Sequence, residues 1–211
     1  MPEISTLIYV PILHTQKEAG EILVSLRGSE SEKPLNSMVQ QEKPTKEMWE
    51  GIYEKLKESN IHYPSVRIYQ EALPVCGKES EIVAKLAEKG SRNHQLILEL
   101  MRKGARLEGT EDPDLLIKEY DYLTKLVSTV SVSVQNYRQA LKEYQDKSMK
   151  LMKKRDLFIT KRIKDSLKNG EMPLVFMGVR HQLEKLLQQD FVINYIIYRL
   201  PFKKIKDIYN V

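Results

Sequence analysis

Two of the chain's four imidazoles and a handful of its carboxylates stand at expected strand ends with types that could do chemistry: His14, Glu71, the acidic turn Glu108 to Asp112, and His181. Imidazole nitrogen and carboxylate oxygen are the donors that an ion of the Mn, Zn or Fe type accepts. Such an ion lowers the pKa of a bound water toward neutrality and so makes a nucleophile. Without an ion, the same groups are a general acid and a general base. No HExxH pattern sets two of these ligands on one helix, so only a folded sheet can bring groups so distant in the chain together. The most informative local pattern is Gly178-Val179-Arg180-His181. Glycine at a strand end admits a ligand or another backbone, and the histidine then points into the crevice. The plainer readings are a strand-to-helix turn with a surface histidine at 181, and a hydrogen-bonded or helix-capping histidine at 14.

The elements that would position these groups follow from periodicity. Thr6 to His14 is almost continuously apolar and rich in β-formers, which predicts a central strand buried on both faces. Its regular pairing should end or bulge at Pro11, because proline donates no ladder bond. Ala19, Ile22, Leu23 and Leu26 then have helical spacing. Residues 28–44 contain Gly, Ser and Pro with no apolar period and are expected to form a mobile loop, after which Thr45 caps a helix to about Ser59. Ser65 to Val75 reads as a second strand with Glu71 toward its end. Helices near 79–89 and 92–103 each stop at a glycine, Gly90 and Gly104. Residues 105–110 form a short strand and Asp112-Pro113 opens the next helix. A charged helical segment over 114–168, with two or more long helices, precedes a buried strand at Pro173 to Gly178 and another β-rich run at Phe191 to Leu200. Together these predict a single α/β domain over 1–211, with a central, mainly parallel sheet flanked by helices and a long helical insertion before the last core strands. Ligands in such sheets bind outside the strands' C-terminal ends, which are the places named above.

Composition narrows the classes. Hydrophobic residues make up 41% and charged residues 30% of 211, which is a globular and not a disordered composition. No window holds the roughly 18 to 20 apolar residues of a membrane span, and Met1-Pro2-Glu3 lacks the basic start of a secretory signal; the expected location is cytoplasmic. The single cysteine, Cys76, excludes an internal disulfide and any zinc site built on several thiolates, and its plain reading is a packed thiol. The net charge of +5 permits an anionic partner without demanding one. There is no GxSxG elbow, P-loop or GxGxxG fingerprint.

Read in order, several segments look like the TraB/TIKI superfamily, which also includes relatives similar to ChaN and erythromycin esterase. They are a strand ending in histidine (YVPILHT), a strand ending in glutamate (YQEAL), the turn GARLEGTED, a helix beginning KKRDLFITKRI, and the late LVFMGVRHQLEKLL. The resemblance covers most of the chain except residues 28–60. Members typically carry two GxxH motifs with acidic and arginine residues around a central α/β sheet, and some are metal-dependent hydrolases. The resemblance therefore implies a site of His14, Glu71, Arg155 and His181, with Glu111 as a further carboxylate. His14, Glu71 and His181 would ligate a divalent transition metal, Glu71 being alternatively the base, and Arg155 would hold a carboxylate or an oxyanion. Gly178, Arg180 and Glu111 would contact a small-molecule or peptide substrate. Pro11 stands where the family has the first motif's glycine, without that residue's clearance or N–H.

Two other functions compete with hydrolysis. A ligand-binding or sensor module on the same fold would recognise a small anion through Arg155 and Arg180 and turn nothing over. Nucleic-acid binding would use the basic residues between Lys147 and Lys168. These wrap around the helix with no accompanying nucleic-acid motif, so a solvated basic face is the default there. Asp156 and Glu108 read as ordinary charges, and Asp112 as a helix-capping residue.

Overall fold

The computed structural model describes residues 5–12, 42–129 and 134–198. His14, the helix expected after it and residues 28–41 of the expected loop lie outside them. Five strands form one all-parallel sheet in the order β3-β2-β4-β1-β5. They are β1 (Ser5–Ile12), β2 (Val66–Gln70), β3 (Arg106–Glu108), β4 (Met172–Gly178) and β5 (Phe191–Tyr195). The helices are α1 (Glu42–Glu58), α2 (Glu79–Glu88), α3 (Arg92–Arg102), α4 (Pro113–Thr129), α5 (Val134–Ser166) and the one-turn α6 (Leu183–Leu187). None of the described helices is long and apolar enough to cross a membrane.

Alternation along the strands sorts the core into two layers. Ile8, Val10, Val66, Ile68, Leu174 and Phe176 pack against α1, α2 and α3, where the Trp49 ring sits 6.1 Å from that of Phe176. Leu7, Tyr9, Tyr69, Val175 and Met177 face Ile159 and Ile163 of α5 and Leu183 and Leu187 of α6. Strands buried on both faces give the continuous apolar runs seen in the sequence.

Besides β3, shorter than the expected 105–110, and β5, which ends at Tyr195 and not Leu200, three boundaries differ from the sequence expectation, each for a physical reason. The α1 helix starts at Glu42, taking in three residues assigned to the loop and displacing Thr45 as the cap. Pro44 is tolerated there because first-turn N–H groups have no intrahelical acceptor. The β1 strand does not end at Pro11, which pairs with Met177, and Ile12 pairs with Gly178. Residues two apart on a parallel strand bond the same neighbour; Tyr9 O accepts from Ile196 on the β5 side and Ile12 O accepts from Val179 on the β4 side. Pro11 therefore turns its missing donor toward β5, whose pairing with β1 has already finished at Tyr195. The β2 strand stops at Gln70, not Val75, because Ala72 has φ +63°, a left-handed conformation that breaks the extended run.

The insertion is an α4–α5 pair. At 33 residues α5 is about 50 Å long at 1.5 Å per residue, far longer than any strand. A part-buried ion network ties its lower half to the sheet. Arg67 Nε donates to Glu171 Oε2 (2.6 Å) and Nη2 to Oε1 (2.7 Å), while Arg67 and Arg162 both donate to Glu108. Glu108 is thus a structural anion.

Candidate functional site

The residues after β2 and β4 emerge side by side, since Gln70 is in register with Phe176. Glu71 N–H still donates to Phe176 O (3.0 Å), extending the pairing by one residue before Ala72 turns the chain. The strained Ala72 amide is captured by Glu111 Oε1 at 2.8 Å. Glu111 is delivered by the turn after β3, which zips against the segment after β2: Glu111 N donates to Leu73 O (3.0 Å) and Val75 N to Glu111 O (2.8 Å). Asp112 then caps α4, accepting from Asp114 N at 2.8 Å.

His181 lies between two carboxylates. Its Nδ1 is 2.5 Å from Asp156 Oδ1, and its Nε2 is 3.0 Å from Glu71 Oε1. The second oxygen of Asp156 accepts from Gln182 N at 3.2 Å. The second oxygen of Glu71 accepts from Gly178 N at 2.5 Å. What approaches the GxxH glycine is therefore the Glu71 carboxylate: a Cβ on Gly178 would stand 2.5 Å from Glu71 Oε2. Beside this pair, Arg155 grips Glu111 with a fork, Nε to Oε2 at 2.5 Å and Nη2 to Oε1 at 2.6 Å. Its Nη1 donates to Glu119, and Nη2 is 3.7 Å from Glu71 Oε1.

Burial sets the electrostatics. The side chains of His181 and Glu111 are 0% exposed, and those of Glu71 and Glu119 reach 12% and 23%. Burial disfavours the charged imidazole, but the hydrogen bonds to Asp156 and Glu71, with the charges of Glu71 and Glu111, outweigh it and raise the His181 pKa to about 9. Burial, aided by the charges of Glu184, Glu71 and Asp156, pushes the Tyr9 phenol well above its ordinary range, so it stays neutral. Among the described residues, four carboxylates thus face two cations, Arg155 and protonated His181.

This excess of negative charge suits a cation, and so do the donors. One ligand atom from each of Glu71, Glu111 and His181 lies within 4.8 Å of the others. Glu111 Oε1 already accepts two hydrogen bonds, from Arg155 and Ala72, while Oε2 accepts one from Arg155 and keeps a lone pair for a ligand. Carboxylate oxygen with imidazole nitrogen fits a borderline divalent metal.

The sheet edge brings together Glu71, Glu111, Arg155, Gly178 and His181 of the residues singled out in the sequence. His14 lies outside the described residues; the sequence puts it two positions past Ile12, which is in register with Gly178. Arg180 is exposed at the same turn. Asp156 and Glu119 complete the site. Asp156, which the sequence reading took for a surface charge, is buried. The signal for it was available: helical spacing puts 155 and 156 between Leu151 and Ile159, in the apolar stripe of α5. Cys76 is exposed and not packed. The basic residues of α5 are dispersed, with Lys161 paired to Asp165, Lys164 to Asp190, Arg162 to Glu108 and Lys147 to Glu143.

Among protein-family models, curated proteins and solved structures, none matches the chain.

Proposed function

We propose that the chain is a metal-assisted hydrolase of the TraB/TIKI type, working at the C-terminal edge of its sheet. One observation carries the reading: Glu71, Glu111 and His181, from three separate segments, converge within 4.8 Å amid an excess of buried negative charge. These three side chains would hold a divalent transition metal, with His14 as a further ligand. When bound, the ion supplies an activated water and polarises the acyl oxygen. Asp156 fixes the His181 ring through Nδ1 and makes it a better ligand. Where Glu71 serves as the base instead of a ligand, it takes the proton of the attacking water as the water oxygen bonds the acyl carbon, and passes it to the leaving heteroatom as the old bond breaks. Arg155 holds Glu111 and Glu119 in place and lays its Nη2 3.7 Å from Glu71 Oε1.

A second reading is favoured by one observation, that among the described residues His181 and Glu111 are closed to solvent while Glu71 is 12% and Glu119 23% exposed: the same fold would serve as a ligand-binding module without turnover. Metal analysis of the purified protein separates the two. Stoichiometric transition metal, lost in both His14→Ala and His181→Ala, supports the hydrolase. Metal-free protein that takes up no added Mn²⁺, Zn²⁺ or Fe²⁺ overturns it.

A further inference from the structure

The arginines at and below the site are already committed. Arg67 and Arg162 hold Glu108, Arg106 holds Glu171, and Arg155 holds Glu111 and Glu119. Arg180 has no carboxylate partner among the described residues. It belongs to the GxxH turn, whose backbone is pinned on both sides: Val179 N to Ile12 O (3.3 Å), His181 N to Gly178 O (3.0 Å) and Gln182 N to Asp156 Oδ2 (3.2 Å). From this fixed base its side chain leans onto α5, where Nη2 meets the hydroxyl of Ser148 at 3.4 Å, a residue only 1% exposed. Ser148 lies seven residues before Arg155, about 10 Å farther along α5 at 1.5 Å per residue. The α5 helix leads directly into the start of β4, so its earlier residues lie beyond the strands' C-terminal edge.

From these positions the geometry points to an oxyanion-binding subsite at Arg180, which selects acyl substrates carrying a carboxylate or a phosphate. The inference rests on the hydrolase reading for what happens deeper in, but not for the binding itself. A guanidinium offers five donors in a planar fork, and Arg180 spends one on Ser148. The surplus negative charge around His181 repels an anion, so the charged end of a substrate stays outside on Arg180 and its neutral acyl end enters toward Glu71. Arg155 cannot perform this task, because its fork is filled by the chain's own carboxylates.

The test uses the full chain labelled with ¹⁵N and follows arginine Nε–H resonances, that of Arg180 being identified by its loss in R180K. Glutarate, phenyl phosphate and neutral dimethyl glutarate are titrated separately. Either anion should shift the Arg180 resonance saturably while the neutral ester leaves it still, and the stronger of the two names the carboxylate or the phosphate. R180Q, an exposed substitution, should weaken the anion by about tenfold or more. No saturable shift, or an equal shift at the exposed Arg92 and Arg102, overturns the subsite. Metal content is measured on the same sample. Saturable binding in protein that takes up no metal keeps the subsite and removes hydrolysis, whereas stoichiometric metal with an unresponsive Arg180 does the reverse.

Discussion

Replacing Gly178 with alanine tests how the site is assembled. Gly178 does not have a positive φ, so the substitution carries no left-handed backbone penalty and acts through space alone. The new Cβ would meet Glu71 Oε2 at 2.5 Å, with Cδ and Oε1 both at 3.2 Å. Ordinary contact requires the carboxylate to withdraw by about 1 Å. Withdrawal lengthens the bond from Gly178 N (2.5 Å) and the one between Oε1 and His181 Nε2 (3.0 Å). Hydrogen bonds to charged groups contribute about 1.5–3 kcal/mol each, so losing one or both costs about 2–5 kcal/mol. In a chain of this size that is roughly a 5–15 °C fall in Tm. Gly170→Ala is the control: φ is +79° and nothing lies within 4 Å of the added carbon, so about 1–2 kcal/mol of backbone strain is expected there. Circular dichroism melts give the stability, and imidazole NMR gives the His181 titration, which should move down in G178A and stay in place in G170A. If G178A melts with the parent protein and His181 titrates unchanged, the glycine is not there to admit Glu71 and the account of the motif is wrong.

Arg155→Met should cost about 3–5 kcal/mol by leaving the fully buried Glu111 without its partner; in a double-mutant cycle with Glu111→Gln, urea unfolding should show clear non-additivity, and additive losses would contradict the pairing. In metal-free protein the His181 pKa of about 9 lies above the ordinary 6.5, so its contribution is complete below about pH 6.5 and is lost as pH rises through 9. That amounts to roughly 3 kcal/mol at 1.36 kcal/mol per unit, and Asp156→Asn should flatten this alkaline slope of stability. On the acid side, the hydrogen bond from Arg67 holds the Glu171 pKa near 2 against an ordinary 4.5. Its stabilisation is present above about pH 4.5 and lost as pH falls through 2, a loss that Glu171→Gln should abolish in acid-denaturation curves.

The strands were legible because parallel strands buried on both faces leave unbroken apolar runs, as at Leu174 to Met177. Their ordering was not, since pairing β4 between β1 and β2 depends on contacts far apart in sequence. The end of β2 was misjudged because apolar residues continue through Leu73 to Val75; the Glu111 carboxylate reaching the Ala72 amide helps to stabilise the turn there, and no local pattern encodes that reach. Gly178 and His181 stood out as a pair because a strand-end glycine followed by histidine is locally visible. The partner that fills the glycine's clearance, Glu71, could not be known without the sheet register. Asp156 was read as an ordinary charge, and Glu119 was not singled out, for another reason: in helices crowded with charges, an acidic residue in the apolar stripe is seen only once the stripe is traced residue by residue.

Arg155 and Asp156 are consecutive on one helix, yet they hold partners that arrive from different strands, Glu111 after β3 and His181 after β4. Nearly two turns below, Arg162 of the same helix is fastened to Glu108 and to Gly109 O. Adding or deleting a single residue between 156 and 162 would swing the upper pair by about 100° relative to the lower anchor. The spacing of those few positions is thus as much a part of the site as the side chains themselves, and length variation in this protein belongs in the outer half of α5 or in its connection to α4.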